Sequence, residues 1–555
     1  MTRGILGIDF GTTNSLSAWI EDGRPQIIPN DRGSRTTPSV VAVSHSGEIL
    51  VGESAKNQAV AAPQRTLAGI KRRLGSREPV RLGEGSYEPE EAASWILAKI
   101  KRDAESFLGF PVERAVISVP ARFGEPQRRA VKEAARRAGL EVPRLVNEPT
   151  AAAVARAFLN PEAAEAETLV LVYDFGGGTF DVTVLSARGR SCEVLSSAGD
   201  DRLGGMDIDV LLYREAAADF RRTWGVDPDA DPFLAQQLMD LSERAKIELS
   251  SRNEASITIP FLNAGKGLSH PSFGLKRETL EDLIRPLVER SLGLVRKALA
   301  EAGKRPRDVG ALVLSGGSSR IPLVRRMVLD LLPLEPESRV NPEEIVAVGA
   351  AVEAAILAGR AGGFAVRDVN SRTYGVEIEG GRFVELLPRN EPLPARRKRV
   401  FTTVVDAQES VEIHILQGES ESAAENLSLG RFLLPGIRKA PRGEPRIQVE
   451  FSIDESDLLR VRAVDLDTRT EQAVVVTDSG ADAGDAEKLA RLAARVRALA
   501  DSEEIDNVFR TEIEELLTRA AAAVESGSEE DRRLARGSLE AVAGELLARK
   551  RVAAP

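Results

Sequence analysis

Two short motifs in this chain set a carboxylate just before a tip of small residues: Gly7-Ile-Asp-Phe-Gly-Thr-Thr-Asn14 and, further on, Tyr173-Asp-Phe-Gly-Gly-Gly-Thr-Phe-Asp181. Such a tip offers several backbone N–H groups and hydroxyls to one anion, with no bulky side chain blocking close approach. That is chemistry for a phosphate. The two carboxylates, Asp9 and Asp174, end their incoming apolar runs and put negative charge beside the phosphates, where Mg²⁺ would sit. Magnesium keeps most of its waters, so Asp9 and Asp174 are expected to hold it largely through water. One Asp-Phe-Gly is an ordinary loop tripeptide, but two at strand ends point to a built site. No Gly-x-x-x-x-Gly-Lys-Ser/Thr occurs and no Gly-x-Gly-x-x-Gly follows a strand, so the cradle is neither a P-loop nor a Rossmann turn. A third glycine turn, Leu314-Ser-Gly-Gly-Ser-Ser-Arg-Ile-Pro322, could lay bare backbone against a flat base, with Arg320 stacked on its face.

These motifs need elements to hold them. The second lies between the apolar runs Leu169–Val172 and Val182–Leu185 and reads as a hairpin whose glycines supply the positive dihedrals of the turn. The first has the same strand, turn and return strand. Two similar hairpins imply two similar lobes facing a cleft. Over the first two-thirds of the chain, short apolar strands (Ile5–Phe10, Arg114–Val119, Thr168–Tyr173, Ala311–Leu314) alternate with long helical stretches, the α/β pattern. After Gly359, Gly362 and Gly363 the runs become short and alternating (Ser410–Gln417, Arg446–Ile453, Leu458–Val464), as in an antiparallel β unit ending near Asp478. From Asp485 the period is helical: Leu489, Leu492, Val496 and Leu499 share a face, and Ser528 with Asp531 resembles a capping box. Three terminal helices are expected, packed as an ordinary bundle.

At 555 residues the chain exceeds one hydrophobic core, so several domains are expected. It is 42% hydrophobic and 29% charged, with a net charge of −10 and only 4% aromatic residues. An acidic chain without a basic stripe interleaved with aromatics lacks the footprint of a nucleic-acid binder. The longest apolar stretch, near Gly349–Val366, is interrupted by Glu353 and Arg360, so no membrane segment is expected. Cys192 is the single cysteine, and the N-terminus passes straight into a strand without a signal-like run, so the expected location is cytoplasmic.

The two cradles, Asn147-Glu-Pro-Thr-Ala-Ala-Ala153, Leu203-Gly-Gly205, Glu243-Arg-Ala-Lys-Ile-Glu-Leu-Ser-Ser251, the Gly316–Gly317 turn and Asn341-Pro-Glu343 follow one another in the order of the seventy-kilodalton heat-shock chaperones of DnaK type. Over roughly residues 4–480 the chain resembles that family. The resemblance implies a multidomain protein. An α/β actin-like bilobal ATPase domain (1–363) would be followed by a linker (364–369), an antiparallel β-sandwich peptide-binding domain (370–480) and a short α-helical lid (485–552). It implies an ATP-dependent chaperone that couples ATP hydrolysis to binding and release of unfolded, extended polypeptides, with ATP/ADP and Mg²⁺ as cofactors. By resemblance, Thr12, Thr13, Asn14 and Gly176, Gly177 and Gly178 hold the phosphates, and Thr179 contacts the γ-phosphate. Lys71 positions the attacking water and Glu148 touches that water or the metal shell; without the family match, Lys71 beside Arg72 and Arg73 would read as a solvated surface residue. Gly204, Gly205, Glu243, Lys246, Ser250, Gly316, Gly317, Ser318, Arg320 and Glu343 enclose the rest of the nucleotide, with Glu343 standing where the family usually has Asp. Pro120, Arg128, Arg144, Asn147 and Asp368 relay nucleotide state or receive a J-domain co-chaperone. Val376, Phe401, Val411, Ile413 and Leu458 line an apolar peptide pocket by backbone-plus-pocket recognition, or are plain β-core.

Several departures stand out. Arg367 interrupts a linker that is usually unbroken and apolar, so burying it would be costly unless its side chain points to water. Over the peptide, Glu379 and Val404 stand where Met and Ala are common, and a carboxylate there favours basic peptides. Between Lys71 and Arg114 the chain is shorter than in common members, which trims a lobe that exchange factors grip, leaves the need for such a factor open, and implies faster spontaneous nucleotide exchange. These features resemble the short, divergent bacterial HscC-like branch. Two rivals are weighed. A small-molecule kinase on the actin-like fold has no use for residues 370–480. A non-hydrolysing ATP-binding scaffold predicts loss of Lys71, Asp9, Asp174 or Thr179, all of which are present.

Overall fold

A computed structural model of the chain describes residues 4–76, 78–160, 167–260, 262–263, 268–337, 341–362, 364–370, 372–454 and 459–475, and beyond these 492–493, 496–497, 500, 507–525, 538–539 and 542. The chain divides into two compact units, one of 1–373, 388–395 and 453–457, the other of 374–387, 396–452 and 458–555.

The first unit is organised by two sheets built on one plan. Strands β1 (Ile5–Asp9), β2 (Asn14–Glu21), β3 (Arg24–Ile28), β4 (Arg114–Val119) and β5 (Glu141–Asn147) form a sheet in the order β5-β4-β1-β2-β3. Strands β6 (Thr168–Phe175), β7 (Phe180–Arg188), β8 (Ser191–Asp200), β9 (Ala311–Ser315) and β10 (Ala365–Arg367) form the other, in the order β9-β6-β7-β8-β10. In each, a hairpin (β1/β2, β6/β7) carries the cradle motif, and a parallel strand (β4, β9) lies beside its first strand. The first strands are buried on both faces, which is why they read as continuous apolar runs.

Helices α1 (Glu125–Arg137), α2 (Glu148–Leu159), α3 (Gly205–Asp219), α4 (Pro232–Leu249) and α5 (Ile345–Leu357) surround these sheets. The α2/α5 crossing is very close: a Cβ on Gly349 would lie 1.8 Å from the Ala151 carbonyl oxygen, and one on Gly7 would lie 2.2 Å from the Ala351 nitrogen. The small-residue run Ala151–Ala153 and the glycines thus let α5 lie close against both α2 and β1. Every residue from Glu148 to Ala157 is buried, so the N-terminus of α2 is held rigidly at the motifs.

The hairpin glycines correct one expectation. Gly176, Gly177 and Gly178 do not adopt positive φ, whereas Gly316 does, at 79°. Glycine is required at the tip for a different reason: a Cβ on Gly177 would be 2.0 Å from Thr13 Oγ1, and one on Gly178 would be 2.4 Å from Thr12 Oγ1. The two tips pack against one another, and a side chain would drive them apart.

The second unit contains strands β11 (Tyr374–Ile378), β12 (Arg382–Leu387), β13 (Ala395–Phe401), β14 (Ser410–Gln417), β15 (Leu427–Pro435), β16 (Ile447–Ile453), β17 (Leu459–Asp465) and β18 (Glu471–Val475). They make two four-stranded sheets, β12-β11-β14-β15 and β13-β16-β17-β18, and the first is antiparallel throughout. Towards the C-terminus, Asn507–Glu525 is helical, and Val496, Ile513, Leu517 and Leu539 belong to one buried cluster against which Leu492 packs. Leu489, Leu499, Ser528 and Asp531 lie outside the described residues. Among the described residues no helix is long and apolar enough to cross a membrane.

Candidate active site

Within the first unit the two hairpin tips line a cleft of about 550 Å³. Asp9, Thr12, Thr13, Asn14, Lys71, Glu148, Asp174, Gly176, Gly177, Gly178 and Thr179 line one part of it. Gly205, Glu243, Lys246, Ser250, Gly316, Gly317, Ser318, Arg320 and Glu343 also line it. Gly204 stands just behind, where a Cβ would lie 2.6 Å from the Gly177 backbone. Residues drawn from many distant stretches of the chain therefore converge.

The end of the cleft around Lys71 is built from buried charge. Lys71 is only 2% exposed, so the surface reading of this residue is wrong. Gly69, at φ 69°, turns the chain into the short helix Ile70–Arg73, which aims Lys71 inward between the rings of Phe10 and Phe123. Its Nζ donates to Glu148 Oε1 at 2.5 Å. Asp9 accepts a hydrogen bond from Ser118 Oγ at 2.8 Å, and burial, reinforced by the Glu148 charge, pushes its carboxyl up to about 7. Asp174 is raised by burial and then by Glu148 and Asp9. Asp181, on β7, is raised by burial and then by Glu148, Asp201 and Asp174, with Arg122 opposing. Several buried carboxylates thus share one lysine, and an uncompensated buried charge is costly. The donor set fits a bound divalent cation. Among the described residues no three His, Cys, Asp or Glu converge to ligate one directly.

The second tip is braced from behind. The Gly205 and Met206 N–H groups at the start of α3 donate to the Gly176 and Gly177 carbonyls at 3.0 and 2.8 Å, and Ser318 Oγ donates to Gly176 O at 2.9 Å. With the carbonyls satisfied from that side, the Gly177 and Gly178 N–H groups have no partner among the described residues, as a phosphate cradle requires. Arg72, which sequence reasoning passed over, joins Lys71's loop to this tip: its Nε and NH2 donate to Gly178 O at 3.0 and 2.5 Å, and it pairs with Asp207 at 2.6 Å. Ser118 was also missed. A usable signal was its position on β4 beside the Asp9 strand, matched by Ser315 opposite Asp174 on β9.

At the far end of the cleft, Lys246 pairs with Asp209 at 2.7 Å, and burial, opposed by Lys246, raises Asp209 to about 6. Glu243 accepts from Lys56 at 2.7 Å, and the Ser250 hydroxyl donates to the Lys246 carbonyl at 3.2 Å. Arg320 pairs with Glu343 at 2.9 Å and donates to Asn341 Oδ1 at 2.5 Å, so its guanidinium is fixed beside the glycine turn. Ile247 lines the cleft while 61% exposed, an apolar surface that sequence reasoning did not single out.

From the same helix N-terminus a second path runs outward. Arg128 donates to Asn147 Oδ1 at 2.5 Å and to Phe123 O at 2.9 Å, and Asn147 Nδ2 donates to Asp368 Oδ2 at 2.9 Å, joined there by Thr150 Oγ1 at 2.9 Å. Pro120 is buried, and its carbonyl accepts from the Phe123 N–H at 3.0 Å. Arg144 pairs with buried Glu353 at 3.0 Å. The segment expected as a linker forms β10, parallel to β8 with Val366 opposite Cys192, and Arg367 is exposed to water. In the second unit Val376 and Ile413 are buried at 4% and 6%, Phe401 and Val411 are half-buried, and Glu379 and Val404 are exposed. Leu458 lies outside the described residues.

The chain is similar to known proteins over most of its length. The Hsp70 protein family model matches residues 5–80 and 77–550. The chaperone protein DnaK of Thermotoga neapolitana is 46% identical over 481 residues, covering 85% of this chain and 80% of that protein. The DnaK of Thermotoga maritima gives the same figures, 46% over 481 residues with 85% and 80% coverage. That of Thermosipho melanesiensis is 44% identical over 479 residues, again with 85% and 80% coverage. The chain belongs to the Hsp70 family of ATP-dependent chaperones, which are ATPases.

Proposed function

We propose that the cleft hydrolyses ATP with Lys71, Glu148, Asp174 and Thr179 as its reacting groups, and that the N-terminus of α2 couples this chemistry to peptide binding. The observation that carries the reading is the adjacency of Asn147 and Glu148: one bonds the linker residue Asp368, the other bonds Lys71.

Thr12, Thr13, Asn14 and the amides of Gly176–Gly178 cradle the β- and γ-phosphates, and Thr179 fixes the γ-phosphate. Asp9 and Asp174 would hold a hydrated Mg²⁺, which would supply charge neutralisation at the phosphates. Lys71, locked by Glu148, orients a water for in-line attack; the water oxygen bonds to the γ-phosphorus, the bond to the β-phosphate oxygen breaks, and the proton leaves on inorganic phosphate. Phosphoryl transfer of this kind depends mainly on positioning and charge neutralisation. Gly204, Gly205, Glu243, Lys246, Ser250, Gly316, Gly317, Ser318, Arg320 and Glu343 enclose the nucleoside, with Ile247 as an apolar wall.

The assignment of domains follows: an actin-like ATPase domain (1–363), a linker (364–369), a β-sandwich peptide-binding domain (370–480) and a helical lid (485–552). Pro120, Arg128, Arg144, Asn147 and Asp368 form the relay and the candidate J-domain surface. With Arg367 in water, the desolvation cost of docking the linker is avoided. Unfolded polypeptide is held by Val376, Phe401, Val411, Ile413 and Leu458 under Glu379 and Val404, and the compartment is the cytoplasm. The small hairpin Val80–Leu82/Gly85–Tyr87 in the shortened segment, a trimming that resembles the HscC-like branch, supports nucleotide exchange without a factor that grips that lobe.

The test is single-turnover hydrolysis by the wild type and Lys71→Ala, with and without an extended apolar peptide. The expected result is slow wild-type hydrolysis that peptide accelerates, and a variant that binds ATP without cleaving it. A variant that cleaves at the wild-type rate overturns the site. Wild-type hydrolysis indifferent to peptide overturns the coupling.

A further inference from the structure

The second unit carries a concentration of positive charge at odds with the chain's net charge of −10: Arg396, Arg397, Lys398 and Arg399 follow one another in β13. All four are exposed, as is Val400 after them at 51%. Strand β13 is the edge of its sheet, paired with β16 on one side only among the described residues. Side chains alternate along a strand, so the cations stand on both faces of this edge. Arg396 is anchored to Glu450 at 2.7 Å, whereas Lys398 and Arg399 have no ionic partner among the described residues.

An edge strand is ordinarily guarded by a charge that prevents pairing with another chain, and one lysine is enough for that. Four consecutive cations do something more selective. They repel a basic strand and would be desolvated without compensation beside a neutral one, whereas a strand bearing carboxylates would gain opposite-charge pairs along the edge together with backbone pairing. The chain's overall negative charge acts only weakly against such a partner, because fields are screened beyond about 10 Å at ordinary salt. Just past the strand, Val405 is 60% exposed and continues the surface with an aliphatic group. Phe401 is the only aromatic of the strand and is half-buried, so no stacking platform for nucleic acid accompanies the charge.

We propose that the free edge of β13 docks an extended acidic segment of polypeptide, outside the apolar peptide pocket, by backbone pairing along Arg396–Val400 with carboxylates set against Lys398 and Arg399.

The test uses the full chain and a fluorescent ten-residue peptide alternating Glu and Val, read by anisotropy. Expected are binding that weakens with added salt, a loss of about tenfold in Lys398→Glu/Arg399→Glu, and no displacement by excess uncharged apolar peptide. Replacing alternate residues of the probe by proline, which removes backbone donors, should weaken it as well. Unchanged apolar-peptide binding and ATP turnover in the double variant show that it is folded, and they keep this proposal separate from the chaperone reading. The proposal is overturned by equal binding in the double variant, by displacement with apolar peptide, by equal binding of the proline probe or of a Lys/Val analogue, or by a single-stranded oligonucleotide or anionic vesicles outcompeting the acidic peptide.

Discussion

The two units use ionic side chains in opposite ways. In the first, the Lys71–Glu148 pair has side chains only 3% and 11% exposed and sits among further buried carboxylates. In the second, the Arg431–Glu412 pair has side chains 51% and 54% exposed on the strand pair β14/β15. The same chemistry is a fixed, buried geometry in one place and a solvated surface contact in the other. Burial makes the difference, because a buried ion stripped of its partner has no water to replace it.

The sharpest test of this contrast removes one carboxylate from each pair. Glu148→Ala should destabilise the first unit by about 3–5 kcal/mol, the cost of leaving a buried charge unpaired, and abolish hydrolysis. Glu412→Ala should cost about 0–1 kcal/mol. Urea unfolding followed by a probe in each unit measures both, and equal effects would break the comparison.

Packing at the hairpin tips gives the next largest difference. Gly177→Ala pushes a methyl group onto Thr13 and should weaken ATP binding by an amount matching about 1–3 kcal/mol of overpacking. Gly380→Ala, in the β11/β12 turn with open space around it and φ of 83°, meets only backbone strain and should leave ATP binding unchanged. Calorimetric titration with ATP separates the two.

These glycines also show where the sequence was legible and where it was not. The motif residues were readable because a phosphate cradle needs small residues and a carboxylate at fixed spacing. The reason for glycine was misread, since the contact that excludes a side chain lies between tips far apart in sequence. Lys71 could be placed only by kinship, because its burial comes from Phe10 and Phe123, which no local pattern links to it. Arg72 looked like more of the same surface charge. In the second unit, alternation located the strands closely: the expected Arg446–Ile453 and Leu458–Val464 appear as Ile447–Ile453 and Leu459–Asp465. Alternation gives a face, however, and not its openness, so it did not distinguish buried Val376 and Ile413 from exposed Val404.

Acidity offers a third probe of the buried site. Asp9 titrates at about 7 in the folded metal-free chain against an ordinary 3.8, so between those values the native state holds a proton that the unfolded chain has lost. The stability this confers is complete below the ordinary value and disappears as pH rises through about 7. The crowded carboxylates therefore weaken the metal-free protein more at about pH 8 than at about pH 6. Magnesium with ADP should consequently raise the melting temperature more at the higher pH. Asp9→Asn should flatten that difference, and a wild-type gain that is larger at the lower pH would contradict the buried-cluster account.

The smallest expected effect lies at the cleft mouth, where Lys56 and Glu243 bridge α4 and the short helix Glu53–Gln58 with side chains 39% and 20% exposed. This pair resembles the exposed ones of the second unit in its wetness but ties together two segments at the cleft. Lys56→Ala should therefore cost about 1 kcal/mol or less in stability while accelerating ADP release by about two- to fivefold, the kinetic equivalent of that energy. Stopped-flow release of a fluorescent ADP measures the rate directly. An unchanged rate would mean that the lobes open without parting this contact, and the resistance to release would then lie with the half-buried contacts at the hairpin tips, where Arg72 ties the Lys71 loop to Gly178 and Asp207.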